Sequence, residues 1–202
     1  MAESVISICN KALGFLGQSA AINSLTENSV EANICRRYYD GALASVLSEY
    51  PWRWAEVSSP MAPCSDSDAV RSGFSYVYTI PAGCVHVLKV VSASGNADTP
   101  LRFSVGHSSS GRILFCDVAD AIAFYTSAAT DPTEFPPLFA EALVWRLAAE
   151  IVVPITGGNL GTRENIMKYY QFAFANAVNG DANEFYDVPS PIISSFEAAR
   201  NE

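Results

Sequence analysis

The sequence predicts an α+β protein: a four-helix body, an inserted antiparallel β region of sandwich or barrel-like form, and an extended C-terminal arm. Three observations predict it. Apolar residues recur every three or four positions through the first fifty residues and again from Leu138 to Val178. Between these stretches, from Trp52 to about Thr130, the period falls to two and turn formers interrupt the chain at short intervals. Near the end, Val188-Pro189-Ser190-Pro191 can be neither a regular helix nor an internal strand. The segments are then 1–51 and 131–181 for the two halves of the helical body, 52–130 for the β insertion and 182–202 for the arm.

In the first helical run, Ser4 to Leu16, a stripe of Val5, Cys9, Leu13 and Leu16 faces inward, and Gly17 suits a left-handed stop. Ala21 to Leu25 is a short connector. The second run, Ser29 to Tyr50, has Asn28 as its expected N-cap and Glu31 at the capping-box position. Its stripe is Ala32, Cys35, Tyr39, Ala42, Leu43, Val46, Leu47 and Tyr50, and Pro51 ends it. After Asp131-Pro132-Thr133-Glu134, Pro137 can take the first helical position. Leu138 to Val153 is apolar nearly all round except for Glu141, Arg146 and Glu150, which predicts a central helix closed by Pro154. A last helix over Leu160–Val178 carries Ile166, Tyr169, Tyr170, Ala173 and Ala177 and closes at Gly180-Asp181. The expected shared core is Leu13, Leu16, Leu43, Leu47, Leu143, Trp145 and Leu147, with Trp52 and Trp54 anchoring the helices on the following sheet.

Strands are expected at Trp52–Val57, Phe74–Ile80, Val85–Ser92, Leu101–Val105, Arg112–Cys116 and Ala121–Thr126. Between them lie Ser65-Asp66-Ser67-Asp68, Pro81-Ala82-Gly83, Ser94-Gly95-Asn96 and Ser108-Ser109-Ser110-Gly111. Short strands at this spacing suit an antiparallel sandwich or small barrel.

Composition bounds the function. A chain of 202 residues can hold one domain with a real core, or a core domain with an added piece. Half of it is apolar and 16% is charged, below the quarter or so usual in soluble domains. A large core explains that, and so does a surface covered by neighbours. The net charge of −9, with basic residues scattered and Arg36-Arg37 their only adjacent pair, disfavours tight nucleic-acid binding. No apolar run is long enough to predict a membrane span. Met1-Ala2-Glu3 lacks the basic start of a signal peptide. Five widely spaced cysteines without C-x-x-C predict reduced packing thiols.

No motif for chemistry survives inspection. Gly106-His107-Ser108-Ser109-Ser110-Gly111 differs from the serine-hydrolase elbow in glycine spacing. It has the phosphate-loop spacing, but Arg112-Ile113 replaces the lysine and hydroxyl, and a strand rather than a helix follows. A hairpin turn accounts for it. His86 and His107 are the only histidines, and two histidines with dispersed cysteines make no zinc site. Asp117 and Asp120 suit a turn, and Asp66 and Asp68 lack the rest of a calcium loop. Gly157-Gly158-Asn159-Leu160-Gly161 lies between helices, where a dinucleotide fingerprint would follow a strand. Trp52, Trp54, Tyr76, Tyr78, Phe124 and Tyr125 read as sheet core rather than a sugar platform. No catalytic residue, cofactor or metal is therefore expected. In the arm, Ile192, Ile193 and Phe196 give apolar groups that dock on the chain's own body or on a partner.

The order helix, helix, β insertion, helix, helix, tail resembles the tail tubular protein A family, head-to-tail adaptors of short-tailed bacteriophages. The residues that carry the resemblance are Ile8-Cys9-Asn10-Lys11-Ala12-Leu13-Gly14-Phe15-Leu16-Gly17, Ile22-Asn23-Ser24-Leu25, Glu31-Ala32, the Arg36–Tyr39 segment and Tyr50-Pro51-Trp52-Arg53-Trp54-Ala55. A second block runs from Pro136-Pro137-Leu138-Phe139 through Trp145-Arg146-Leu147-Ala148. Recognisable sequence covers about a third of the chain, and the layout covers all of it.

The resemblance implies a virion protein made in the bacterial cytoplasm. It would form a dodecameric ring beneath the portal, seal the filled capsid, continue the DNA channel and support the tail nozzle, with tail fibres as further neighbours. Genomic DNA would pass its lumen without specific binding. The arm residues Val188, Pro189, Pro191, Ile192, Ile193 and Phe196 would reach the portal. The alternatives are a cell-wall or glycan hydrolase, for which Asp117, Asp120, Asp131 and Glu134 are the candidate carboxylates, and a carbohydrate-binding β module.

Overall fold

The computed structural model describes residues 3–19, 21–64, 73–94, 99–109, 111–128, 131–157 and 160–183. Within them the chain is mixed helix and sheet, with four α-helices and two antiparallel sheets. The arm residues Val188, Pro189, Pro191, Ile192, Ile193 and Phe196 lie outside the described residues, as do Asp66, Asp68, Gly158 and Asn159.

Helix α1 spans Val5–Phe15, and Ser4 caps it by accepting from the Ser7 amide at 3.1 Å. Gly17, at φ +77°, takes the left-handed position after it. The Gly17 amide then reaches Gly14 O at 3.0 Å and the Gln18 amide reaches Leu13 O at 3.1 Å, which satisfies two terminal carbonyls. Helix α2 spans Val30–Glu49. Its cap is Ser29 rather than Asn28, because the Ser29 hydroxyl accepts from the Ala32 amide at 3.2 Å. Glu31 is therefore one place early for a capping box.

Pro51 holds Tyr50 in extended geometry, as expected, but the next residues form no strand. The Glu56 amide closes a turn onto Arg53 O at 3.0 Å. The Asp181 carboxylate accepts from the Arg53 amide at 3.1 Å. Those amides are thus unavailable to a ladder, and Trp52 and Trp54 turn into the helical core instead of a sheet. The first strand, β1, begins four residues late, at Glu56–Pro60.

Strand β1 pairs with β7 (Ala121–Ser127), which pairs with β4 (Cys84–Ser92). The second sheet has the order β2 (Ala62–Pro63), β3 (Tyr76–Thr79), β6 (Gly111–Cys116) and β5 (Phe103–Ser108). Tyr78, Leu114 and Cys116 from one sheet share a buried cluster with Val90, Ala121, Ala123 and Tyr125 from the other, and Met61, between β1 and β2, joins it. That is the face-to-face packing of a sandwich.

Helix α3 spans Pro137–Thr156 and passes straight through Pro154. Proline lacks an N–H and crowds the carbonyl one turn back. Carbonyls in this region gain side-chain donors: Arg163 Nε reaches Ala149 O at 3.2 Å, and Thr156 Oγ1 reaches Val152 O at 2.6 Å. The stop comes at Gly157, φ +79°. Helix α4, Leu160–Asn183, likewise continues through Gly180 and Asp181. Residues of all four helices share one buried cluster, in which Ile8, Leu13, Leu47, Trp52, Leu143 and Leu147 are enclosed. Leu16, Leu43, Trp54 and Trp145, expected in its centre, are half-buried at its margin.

An ion-pair network ties three helices together. Arg146 bonds Glu150 at 2.9 Å and Glu49 at 3.2 Å, and the Tyr170 hydroxyl donates to Glu49 at 2.7 Å. No helix among the described residues is long and apolar enough to cross a membrane.

Candidate functional site

Three of the candidate carboxylates, Asp117, Asp120 and Asp131, hold turns of the chain. Asp120 accepts from the Ser92 hydroxyl and the Ser94 amide, both at 2.9 Å, and the Ser94 hydroxyl, then the Ser92 hydroxyl, hold its carboxyl below the usual range. Asp117 accepts from the Ser75 amide at 3.2 Å and pairs with Arg102 at 3.1 Å. Asp131 caps the short 3-10 turn Pro132–Glu134 through the Thr133 amide at 2.9 Å, and the Thr133 amide and hydroxyl lower its pKa. Glu134 sits exposed in that turn. Each of the first three carboxylates fixes a different turn.

The histidines are apart as well. His107 is exposed and lies opposite Arg112 in the β5–β6 hairpin. His86 Nε2 lies 3.5 Å from Thr126 Oγ1, and burial, then the Arg112 charge, holds its pKa down. In the glycine-bounded turn, the Phe115 ring lies over Gly106, so a Cβ there would meet it at 2.8 Å. Gly111 opens β6 at φ +115°, in the left-handed half that favours glycine. Packing therefore accounts for the first glycine and backbone conformation for the second.

Two thiols of the helical core act on each other: their contact raises the pKa of Cys9 and lowers that of Cys35. Cys9 and Cys35 are buried and meet between α1 and α2. The contact between the two thiols, then burial, pushes Cys9 far above the ordinary thiol range. It therefore stays a protonated packing group.

What the structure assembles instead is an aromatic face on the helical side. Phe15 of α1 stacks on Trp145 of α3 with ring centroids 4.0 Å apart and planes 19° apart. Trp145 stacks on Tyr169 of α4 at 5.0 Å and 25°. The three rings form a ladder across three helices. Its ends are open to solvent: Phe15 is 48% exposed and Tyr169 57%. Phe172, one turn beyond Tyr169, is 73% exposed. Stacking gains about 0.5–1.5 kcal/mol per aromatic pair beyond area burial, so the outer rings are held in place while still offering apolar surface.

Tyr169 was expected on the buried stripe, and the helical wheel explains the difference. Ile166, Tyr170, Ala173 and Ala177 are buried and fall within a narrow arc. At about 100° per residue, Tyr169 and Phe172 lie roughly 60° and 120° away from Ile166 on one flank. That offset was available in the sequence as two aromatics off the buried stripe. The ladder itself was not, because it joins residues far apart in the chain.

Compared with protein-family models and with curated proteins, the chain matches none.

Proposed function

We propose that this chain is a structural head-to-tail adaptor of a bacteriophage. In this reading, four helices form the body, the sandwich is an insertion in it, and residues 182–202 are a docking arm. Copies assemble into a ring between portal and tail nozzle. The ring continues the DNA channel, retains the packaged genome and lets it pass on ejection. The protein acts by assembly in the virion, not by turnover.

The observation that carries this reading is the exposed aromatic ladder of Phe15, Trp145 and Tyr169 with Phe172 beside it. Rings of this size left in water mark a surface meant to be covered. Two further points support it. Several residues that carry the family resemblance, Ile8, Ala12, Leu13 and Trp52 among them, are enclosed in the helical core. The net charge of −9 suits a conduit, since carboxylates beside passing phosphates repel rather than trap them.

The arm gives the proposal a direct test. Val188, Pro189, Pro191, Ile192, Ile193 and Phe196 would seat on portal subunits. Each apolar side chain would contribute about 1.5–3 kcal/mol of burial, and a ring of arms would add avidity. Deleting residues 189–202 should abolish seating on portal-bearing, DNA-filled capsids and release their DNA. A truncated protein that still seats and retains DNA would remove the arm from the account. A monomer that hydrolyses cell-wall glycan would remove the adaptor reading altogether.

A further inference from the structure

Between the Trp52–Ala55 turn, the start of α3 and the last turn of α4 lies a cavity of about 80 Å³. Trp52, Trp54, Phe139 and Leu138 give it aromatic and apolar walls, and Asp181 is the one acid in its lining. Asp181 is only 5% exposed. Both of its oxygens accept from the Arg53 amide at 3.1 Å, and Oδ1 also accepts from the Trp54 amide at 3.4 Å. No ion pair involves it among the described residues.

Amide bonds orient a carboxylate but bring no opposite charge. Asp181 also sits in the last turn of α4, where the negative end of the helix dipole disfavours an anion. Burying such a charge without a cation is costly. Trp52, Trp54 and Phe139 in the lining are aromatic groups of the kind that pair with cations. The charge and the walls therefore ask for the same kind of ligand.

We propose that this cavity receives the ammonium group of a lysine side chain from a protein partner. Its volume, at about 30 Å³ per water-sized group, holds an ammonium and one or two methylenes. The rest of the stem would lie along the rim, where Leu138 is 40% exposed. An arginine fork would need both carboxylate oxygens, which the Arg53 amide already engages. A lysine point charge needs one lone pair. An inorganic cation would meet the carboxylate and leave the apolar walls unused.

The test titrates the full chain with n-butylammonium chloride, which is the lysine side chain as a free molecule. Tryptophan emission and melting temperature are followed, with potassium chloride at equal ionic strength and 1-butanol as controls. The expected result is a saturable emission change and a rise in melting temperature with butylammonium alone. Asp181→Asn should weaken the response about tenfold or more while far-UV circular dichroism stays that of the wild type. If Asp181→Asn does not fold, Ala177→Leu fills the cavity from α4 and should block the response. No saturable response in the wild type overturns the assignment. So does an equal response to potassium chloride or to 1-butanol, or an unchanged response in a folded variant.

Discussion

The helical and β parts of this chain solve the burial problem differently. The helices bury one continuous cluster that runs from Ile8 to Ala177 and includes Trp52. The sheets divide their apolar residues between a cluster inside the sandwich and a smaller one around Ile113 and Phe115 on the other face of the four-stranded sheet. Strand β5 has no fully buried residue, and β1 is almost wholly exposed. The helical part therefore holds the larger continuous core, and the sheets hold two smaller ones. A part that must keep its shape under load and a part that presents surface would divide in this way.

The sharpest way to break that comparison is Trp52→Ala. Trp52 is enclosed, packs edge-on against Phe139 at 5.0 Å and donates from Nε1 to Val46 O at 2.9 Å. Its loss should cost about 3–5 kcal/mol, and the orphaned carbonyl adds to that. Leu47→Ala, in the same core, should cost about 2–5 kcal/mol by chemical denaturation. Val105→Ala on β5, where the side chain is exposed, should stay within about 0.5 kcal/mol. Equal losses at Leu47 and Val105 would contradict the division of labour.

Alkaline pH sharpens the comparison further. Burial, and secondarily the bond to Glu49, raises the Tyr170 phenol, and burial raises Tyr39. Both belong to the helical core. In the unfolded chain these phenols titrate near pH 10. The stabilisation is therefore complete below about pH 10 and is lost as pH rises above it, because only the unfolded state sheds those protons. Each group adds about 1.4 kcal/mol of loss per pH unit there. Tyr170→Phe should flatten the fall in melting temperature above pH 10 by one group's share. An unchanged slope would mean that Tyr170 ionises in the folded state.

Much of this was legible in the sequence, and each exception has a physical cause. The helical periodicity located all four helices, and alternation located most strands. Alternation also reads Trp52-Arg53-Trp54-Ala55 as a strand, whereas the structure makes it a turn. The deciding group is Asp181, more than a hundred residues away, whose carboxylate takes the backbone donors a strand would need. Pro154 reads as a helix end, yet α3 continues to Thr156, and Arg163 and Thr156 supply donors beside the break. The aromatic ladder depends on α1, α3 and α4 meeting. Local pattern reports local preference, and both the Trp52–Ala55 turn and the ladder are settled by partners distant in the chain.

A small expected change in stability accompanies the most informative change in behaviour. Tyr169→Ser with Phe172→Ser removes exposed surface and one ring stack, so the fold should lose no more than about 1.5 kcal/mol. The decisive measurement is the mass of the assembly formed by wild type and by this double variant on purified portal. The account predicts a closed ring of many copies for the wild type and folded but unassembled chains for the variant. A wild type that remains a single copy beside the portal, or a variant that assembles as well as the wild type, would contradict it.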